Sequence, residues 1–279
     1  MKSLTQHNRI LITILGLLAL ASFPANAADS ASNGPPAAAA VASNGRYWKA
    51  PPLPAGKFTY VIVHGAWGGG WAFRQVESLL VADGHRVFRP TLTGQGEKVH
   101  LASTNVDLTT HITDVVNVVL WEDLRDVVLV GHSYGGMVIT GVADRVPDRI
   151  KHVIYLDAAL PENGESFNTA AGNGIGRNVV DGFIPAGRGS EHTPLPHDVP
   201  HPAKTLSEPI VLKNQDAVKK IPATYALFVA AGGATEQASF NKFYQRAQAR
   251  GWKMLTLQSD HNAQWSHPKE LVALLEKAP

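Results

Sequence analysis

Cysteine is absent from the 279 residues. That excludes a disulfide framework, a thiolate metal site and a cysteine nucleophile. Charge is scarce, at 17% Asp, Glu, Lys and Arg, and it nearly cancels to +2. Lys2 and Arg9 carry the whole excess, so the rest of the chain has no global bias toward nucleic acid or anionic lipid. The apolar run at 10–23 (ILITILGLLALASF) stops short of the ~20 residues a comfortable membrane span needs. What is abundant is hydrophobic residues, at 44%. Disordered, collagen-like and coiled-coil classes are thereby excluded. The length suits one α/β domain with a core that needs no covalent staples.

The basic leader, the short apolar run and the ending Pro24-Ala25-Asn26-Ala27 read as a secretory signal over 1–27, cut after Ala27. The expected location is periplasmic or secreted, with no stable membrane anchor left after cleavage. Residues 28–56 are rich in Ala, Pro, Gly, Ser and Asn and read as a flexible lead-in. The domain proper is expected over 57–279.

Within it, short β-rich apolar runs alternate with helical periods. Strands are predicted at 58–63, 85–88, 127–130, 150–156, 224–230 and 252–257. Helices are predicted at 71–82, from a cap at Asp107 or Thr109 to about 121, and at 137–145, 237–250 and 268–277. This alternation implies a parallel sheet covered on both faces. Residues 161–220 break it with many Pro, Gly, His and Asn, and are expected to form an inserted cap that shapes a binding pocket. No internal repeat is visible.

The strongest chemical signal is Gly131-His132-Ser133-Tyr134-Gly135, placed between a strand and a helix. A strand turning sharply into a helix strains the central residue and leaves no room for side chains two positions away. Such a turn lifts the Ser133 hydroxyl clear of the sheet and aims the Tyr134 amide at the same point. A plain glycine-rich turn is the bland reading. A serine hydroxyl needs a base. Of twelve histidines, His261 follows the last predicted strand, where this architecture places one. His132 is expected to point away from Ser133, and His64 to bond loop backbone. His64-Gly65-Ala66-Trp67-Gly68-Gly69-Gly70 follows the first strand, so the Ala66 amide is a second candidate donor for an oxyanion. His192, His197 and His201, beside Asp198, have a spacing open to a metal but read as solvated loop histidines.

HGAWGGGW (64–71), GHRVFRPTLTGQGE (84–97), VVLVGHSYGGMVITGVADRVPDRI (127–150) and YLDAALPENGES (155–166) carry a resemblance. From about residue 58 onward the chain resembles α/β-hydrolases. It is most similar to the group holding plant methylesterases, hydroxynitrile lyases and bacterial carboxylesterases, including pyrethroid-hydrolysing ones. The resemblance implies the α/β-hydrolase fold, a Ser-His-acid triad, no cofactor and no metal. By position it implies Ser133 as nucleophile, His261 as base, and Ala66 and Tyr134 as oxyanion donors. The acid departs from the pattern. Plant relatives carry it after the strand matching 224–230, where this chain reads FVAAGGATEQ with Glu236 as its one carboxylate. Asp157, ending the neighbouring strand, is therefore expected to hold His261, with Glu236 in reserve.

The expected activity is hydrolysis of small to medium, neutral or hydrophobic carboxylic esters through an acyl-enzyme. Trp67 and Phe167 are expected to border the substrate, with Phe183, Ile184 and Leu195 as further lining. Amide or lactone hydrolysis and cyanohydrin cleavage would use the same residues. A ligand-binding module is the reading from another class, and the full set of nucleophile, base and oxyanion turn speaks against it. The expected partner is a small-molecule ester, not nucleic acid.

Overall fold

The structure is a computed structural model that describes residues 51–172, 178–187 and 190–279. The expected signal at 1–27 and most of the lead-in lie outside the described residues.

In chain order the elements are β1 (Thr59–Val63), α1 (Arg74–Ala82), β2 (Arg86–Phe88), α2 (Leu108–Trp121), β3 (Val127–His132), α3 (Gly135–Arg145) and β4 (Ile150–Leu156). Then come α4 (Phe167–Ala171), β5 (Phe183–Ile184), β6 (His201–Pro202), α5 (Lys204–Ser207) and α6 (Gln215–Val218). The chain ends with β7 (Ala223–Val229), α7 (Asn241–Ala249), β8 (Lys253–Gln258), α8 (Ala263–Ser266) and α9 (Pro268–Lys277).

Six strands form one parallel sheet in the order β2-β1-β3-β4-β7-β8. Its central strands are buried on both faces, as continuous Val/Ile/Leu runs require. The two-residue period of β1 divides the core. Val61 and Val63 face the layer containing α2, α3 and α7, whereas Tyr60 and Ile62 face α1 and α9. Edge strands β2 and β8 are only partly covered. Asp107 caps α2 by accepting the Thr110 amide at 2.9 Å. Pro268 opens α9.

Two helices start later than their periodicity predicts. The 71–82 helix opens as a 3-10 turn over Gly70–Phe73, and α1 proper begins at Arg74. The 237–250 helix shortens to Asn241–Ala249 because residues 235–238 make a 3-10 turn followed by extended chain. That detour delivers Phe240 to the site described below.

The insert after β4 is built of small pieces fastened to the body. Ser166 and Thr169 form a reciprocal capping box on α4. β5 and β6 pair antiparallel. Arg246 grips Glu165 through two nitrogens, at 2.6 and 3.1 Å. Buried Asp144 accepts the amides of Lys213 and Asn214.

Candidate active site

The candidate groups collect at the C-terminal ends of the parallel strands, where open α/β sheets bind ligands. Ser133 sits between β3 and α3 with φ +55, a conformation that costs a non-glycine residue of order 1–3 kcal/mol. Steric need accounts for its glycines. A Cβ on Gly131 would lie 2.7 Å from the Gly135 carbonyl oxygen, and one on Gly135 only 2.6 Å from that of Val63. The turn is pinned by Ser133 N–H donating to Leu156 O at 3.3 Å, and by Ser133 O accepting from Gly136 and Ala159.

The glycine-rich turn after β1 lies against this elbow: a Cβ on Gly65 would be 3.0 Å from the Ser133 Cβ. His64 supports the turn as expected. Its Nδ1–H donates to Gly65 O at 2.7 Å, and Nε2 accepts from the Leu92 amide. Burial lowers its pKa to about 4, so the ring stays neutral. Among the described residues, the amides of Ala66 and Tyr134 donate to no protein group.

Asp157 directly follows β4, again with φ in the left-handed region, +42. Its amide donates to Ala226 O at 2.7 Å, and its buried carboxylate accepts the Phe228 amide at 3.3 Å. The other carboxylate oxygen lies 2.6 Å from Nδ1 of His261, 104 residues away in sequence. A carboxylate beside Nδ1 keeps the proton there and leaves Nε2 as a free base. Glu236 is exposed and bonds the Thr235 hydroxyl at 3.0 Å instead.

His261 is held from both sides. Phe240 stacks on it at 5.1 Å with an interplanar angle of 4°, and His132 lies 4.6 Å away. The His132 Nε2–H donates to His261 O at 2.7 Å. His132 thus props the base loop, a role that a side chain expected merely to turn away from Ser133 did not announce. Burial first, and the neighbouring His261 second, hold the His132 pKa well below the usual imidazole range. The prop is neutral and does not compete for protons. No Ser133–His261 hydrogen bond forms among the described residues; such bonds commonly tighten only with substrate bound.

The expected lining residues divide. Trp67, with φ +66, turns its indole N–H to Ile184 O at 3.2 Å. Phe167 is buried edge-on against the Tyr134 ring at 6.1 Å, so it packs the core beneath the elbow. Phe183 is half-buried, Ile184 is buried, and Leu195 is 83% exposed. His201 is fully buried and hydrogen-bonded rather than solvated. Its Nε2 meets the Thr205 hydroxyl within the insert, and its Nδ1 faces the Trp67 amide and Gln95 Oε1 of the body, which spacing alone does not reveal. His192 is exposed and His197 half-buried. No group of three metal-ligating side chains gathers among the described residues.

A cleft of about 320 Å³ is lined by Trp71, Pro196, His197, Asp198 and Trp265. Trp71 closes the glycine-rich turn, and Trp265 follows His261 by four residues. The two indoles stack at 5.7 Å. Burial raises the Asp198 carboxyl above its ordinary range.

Residues 60–274 match the model of the alpha/beta hydrolase family. The chain is 36% identical over 235 residues to the carbendazim hydrolyzing esterase of Nocardioides sp. (strain SG-4G), covering 77% of this chain and 97% of that one. It is 36% identical over 106 residues, 37% of each chain, to the pyrethroid hydrolase of Sphingobium wenxiniae. Among solved structures, an extracellular alpha/beta-hydrolase from a Paenibacillus species superposes with a TM-score of 0.62 at 25% identity. That superposition covers 79% of this chain and 98% of the other.

Proposed function

Because the chain belongs to the alpha/beta hydrolase family and is a carboxylic ester hydrolase, we propose that it cleaves its esters through an acyl-enzyme on Ser133. The observation that carries this reading is the 2.6 Å contact between His261 Nδ1 and a buried Asp157 carboxylate, beside a serine held at φ +55.

The steps are those of acyl transfer. Ser133 Oγ attacks the ester carbonyl carbon while His261 Nε2 takes its proton. The negative oxygen is received by the free amides of Ala66 and Tyr134. Asp157 holds the ring in the productive tautomer and stabilises the imidazolium. The C–O bond to the alcohol breaks as Nε2 returns the proton to the leaving oxygen. Water, deprotonated by the same nitrogen, then attacks the acyl-enzyme and releases the carboxylic acid and free Ser133.

The substrates are small to medium esters with neutral or hydrophobic acyl groups. Trp71 closes the glycine-rich turn and Trp265 lies four residues beyond His261, and the cleft that these two indoles line supports an aromatic or bulky alcohol half there. The leader at 1–27 directs export to the periplasm or medium, so N-terminal sequencing of the mature protein is expected to begin at Ala28. No helix among the described residues is long and apolar enough to cross a membrane.

The test is a kcat/KM panel of p-nitrophenyl esters from acetyl to dodecanoyl, with aryl, methyl and pyrethroid-type esters, and Ser133→Ala as control. Loss of turnover in the control, with organophosphonate labelling of Ser133 in the native enzyme, is the expected result. Undiminished turnover by Ser133→Ala overturns the reading. Turnover of amides or lactones but of no ester moves the substrate class and leaves the machinery standing.

A further inference from the structure

The insert does more than cover the pocket. Trp67, the residue immediately after Ala66, is held almost wholly by insert residues. Its carbonyl accepts the Val199 amide at 2.9 Å. Its indole N–H donates to Ile184 O at 3.2 Å. Its amide lies 3.3 Å from Nδ1 of His201, and the two rings meet at 6.1 Å. These contacts hold a bulky residue at φ +66, where an unrestrained chain would relax.

His201 also packs against the side chain of Tyr134, whose amide is the second donor. It is fully buried, with its ring edge-on to Tyr134 at 5.0 Å and Nε2 2.8 Å from the Thr205 hydroxyl. The Tyr134 phenol donates to His111 Nδ1 at 2.9 Å, and His111 donates through Nε2–H to Thr93 O. Burial lowers the pKa of both histidines, so both rings are neutral. A neutral His201 serves one partner at Nδ1. With the proton on Nε2 it receives the Trp67 N–H; with the proton on Nδ1 it donates to Gln95 Oε1, 3.0 Å away. Thr205 donates to Pro202 O at 2.7 Å, which favours the first arrangement by leaving its oxygen to accept from Nε2.

We infer that Trp67 and His201 are positioning residues through which the insert holds both amides of the oxyanion hole in place, so that folding of the insert sets kcat and not only substrate fit. The inference rests on the oxyanion role proposed for Ala66 and Tyr134.

Two variants test it. Trp67→Phe removes the indole N–H but keeps an aromatic ring. His201→Leu removes the ring nitrogens and keeps an apolar filling. Each is assayed with p-nitrophenyl acetate, which is too small to depend on the insert for binding. Inhibition is measured with a trifluoromethyl ketone, which adds Ser133 Oγ to its carbonyl and leaves an oxyanion in the hole. The expected result is a fall in kcat of about 10- to 100-fold with KM nearly unchanged, and an equal loss of affinity for the ketone. The pH–rate profile stays in place because the His261–Asp157 pair is untouched. A rise in KM with kcat and ketone affinity unchanged would overturn the inference and leave the insert as a wall of the pocket. So would activity that merely tracks the folded fraction by circular dichroism. Wild-type turnover and its loss in Ser133→Ala are read alongside, so failure of the acyl-enzyme reading shows separately.

Discussion

Replacing Asp157 by asparagine isolates one interaction without changing shape. The amide can still accept the Phe228 N–H through its oxygen, so the end of β4 keeps its backbone contacts. What is lost is the charge 2.6 Å from His261 Nδ1. With charge centres ~4 Å apart and an effective permittivity of ~20, an imidazolium–carboxylate pair gains about 4 kcal/mol. His261 has a 39% exposed side chain, and solvent screens part of that gain. A second loss adds to the first. The new NH2 group prefers to donate, which favours the tautomer with its proton on Nε2 and removes the lone pair facing Ser133. At about 1.4 kcal/mol per decade the two effects lower kcat by about 10³- to 10⁴-fold. The assay is steady-state hydrolysis of p-nitrophenyl acetate beside a thermal melt and the control Glu236→Gln. The melt should be nearly unchanged and the control fully active. An Asp157→Asn enzyme within tenfold of wild type, or a comparable collapse in Glu236→Gln, would refute the assignment of the acid.

Three further outcomes are expected. Burial holds the His64 and His111 pKa values at about 4, against 6.5 in the unfolded chain; between those values the unfolded state binds more protons. Stability is then full above pH ~6.5 and falls toward pH ~4, by about 3 kcal/mol in total for each ring. Melting temperatures measured from pH 8 to 4 should be level at first and then drop; equal values at pH 7.5 and 4.5 would contradict the neutral burial of these rings. Gly136→Ala would place a Cβ 2.0 Å from the Ala159 carbonyl oxygen, a backbone clash. It should cost about 3 kcal/mol or more, a fall in Tm of roughly 6–12 °C by calorimetry, and an unchanged Tm would contradict the close packing of the elbow. Trp265→Ala strips one indole from the cleft; KM for aryl esters should rise by about tenfold while that for methyl esters barely moves, and equal effects on both would remove the alcohol half from this cleft.

Much of the fold was legible in advance because burial leaves a local trace. Runs such as 58–63 and 127–130 are apolar throughout since both sheet faces are covered, and each emerged as a central strand of the parallel sheet. Asp107 proved to be the cap of α2 for the same local reason. The elbow at 131–135 was equally readable, because its glycines answer to atoms a few residues away or on the adjoining strand. The helix start at Asn241 was not legible. Residues 237–240 carry a helical period, yet tertiary demand places Phe240 against the His261 ring and delays the helix. The insert was unreadable in detail, since its short pieces are stabilised by docking and not by their own period. His201 shows the consequence: a histidine among prolines looks solvated until the chain closes over it.

By itself, then, the sequence determined the alternating parallel architecture, the serine on its strained turn and the histidine loop after the last strand. Those features are recorded in neighbours, in periods of burial and in residues that only certain backbone angles admit. The tertiary structure alone decided that Asp157 and not Glu236 faces His261, that His132 and Phe240 brace the ring, and that insert residues hold Trp67. Each of these joins residues brought together by strand order and loop closure, and no local pattern reports a distance that the path of the whole chain sets.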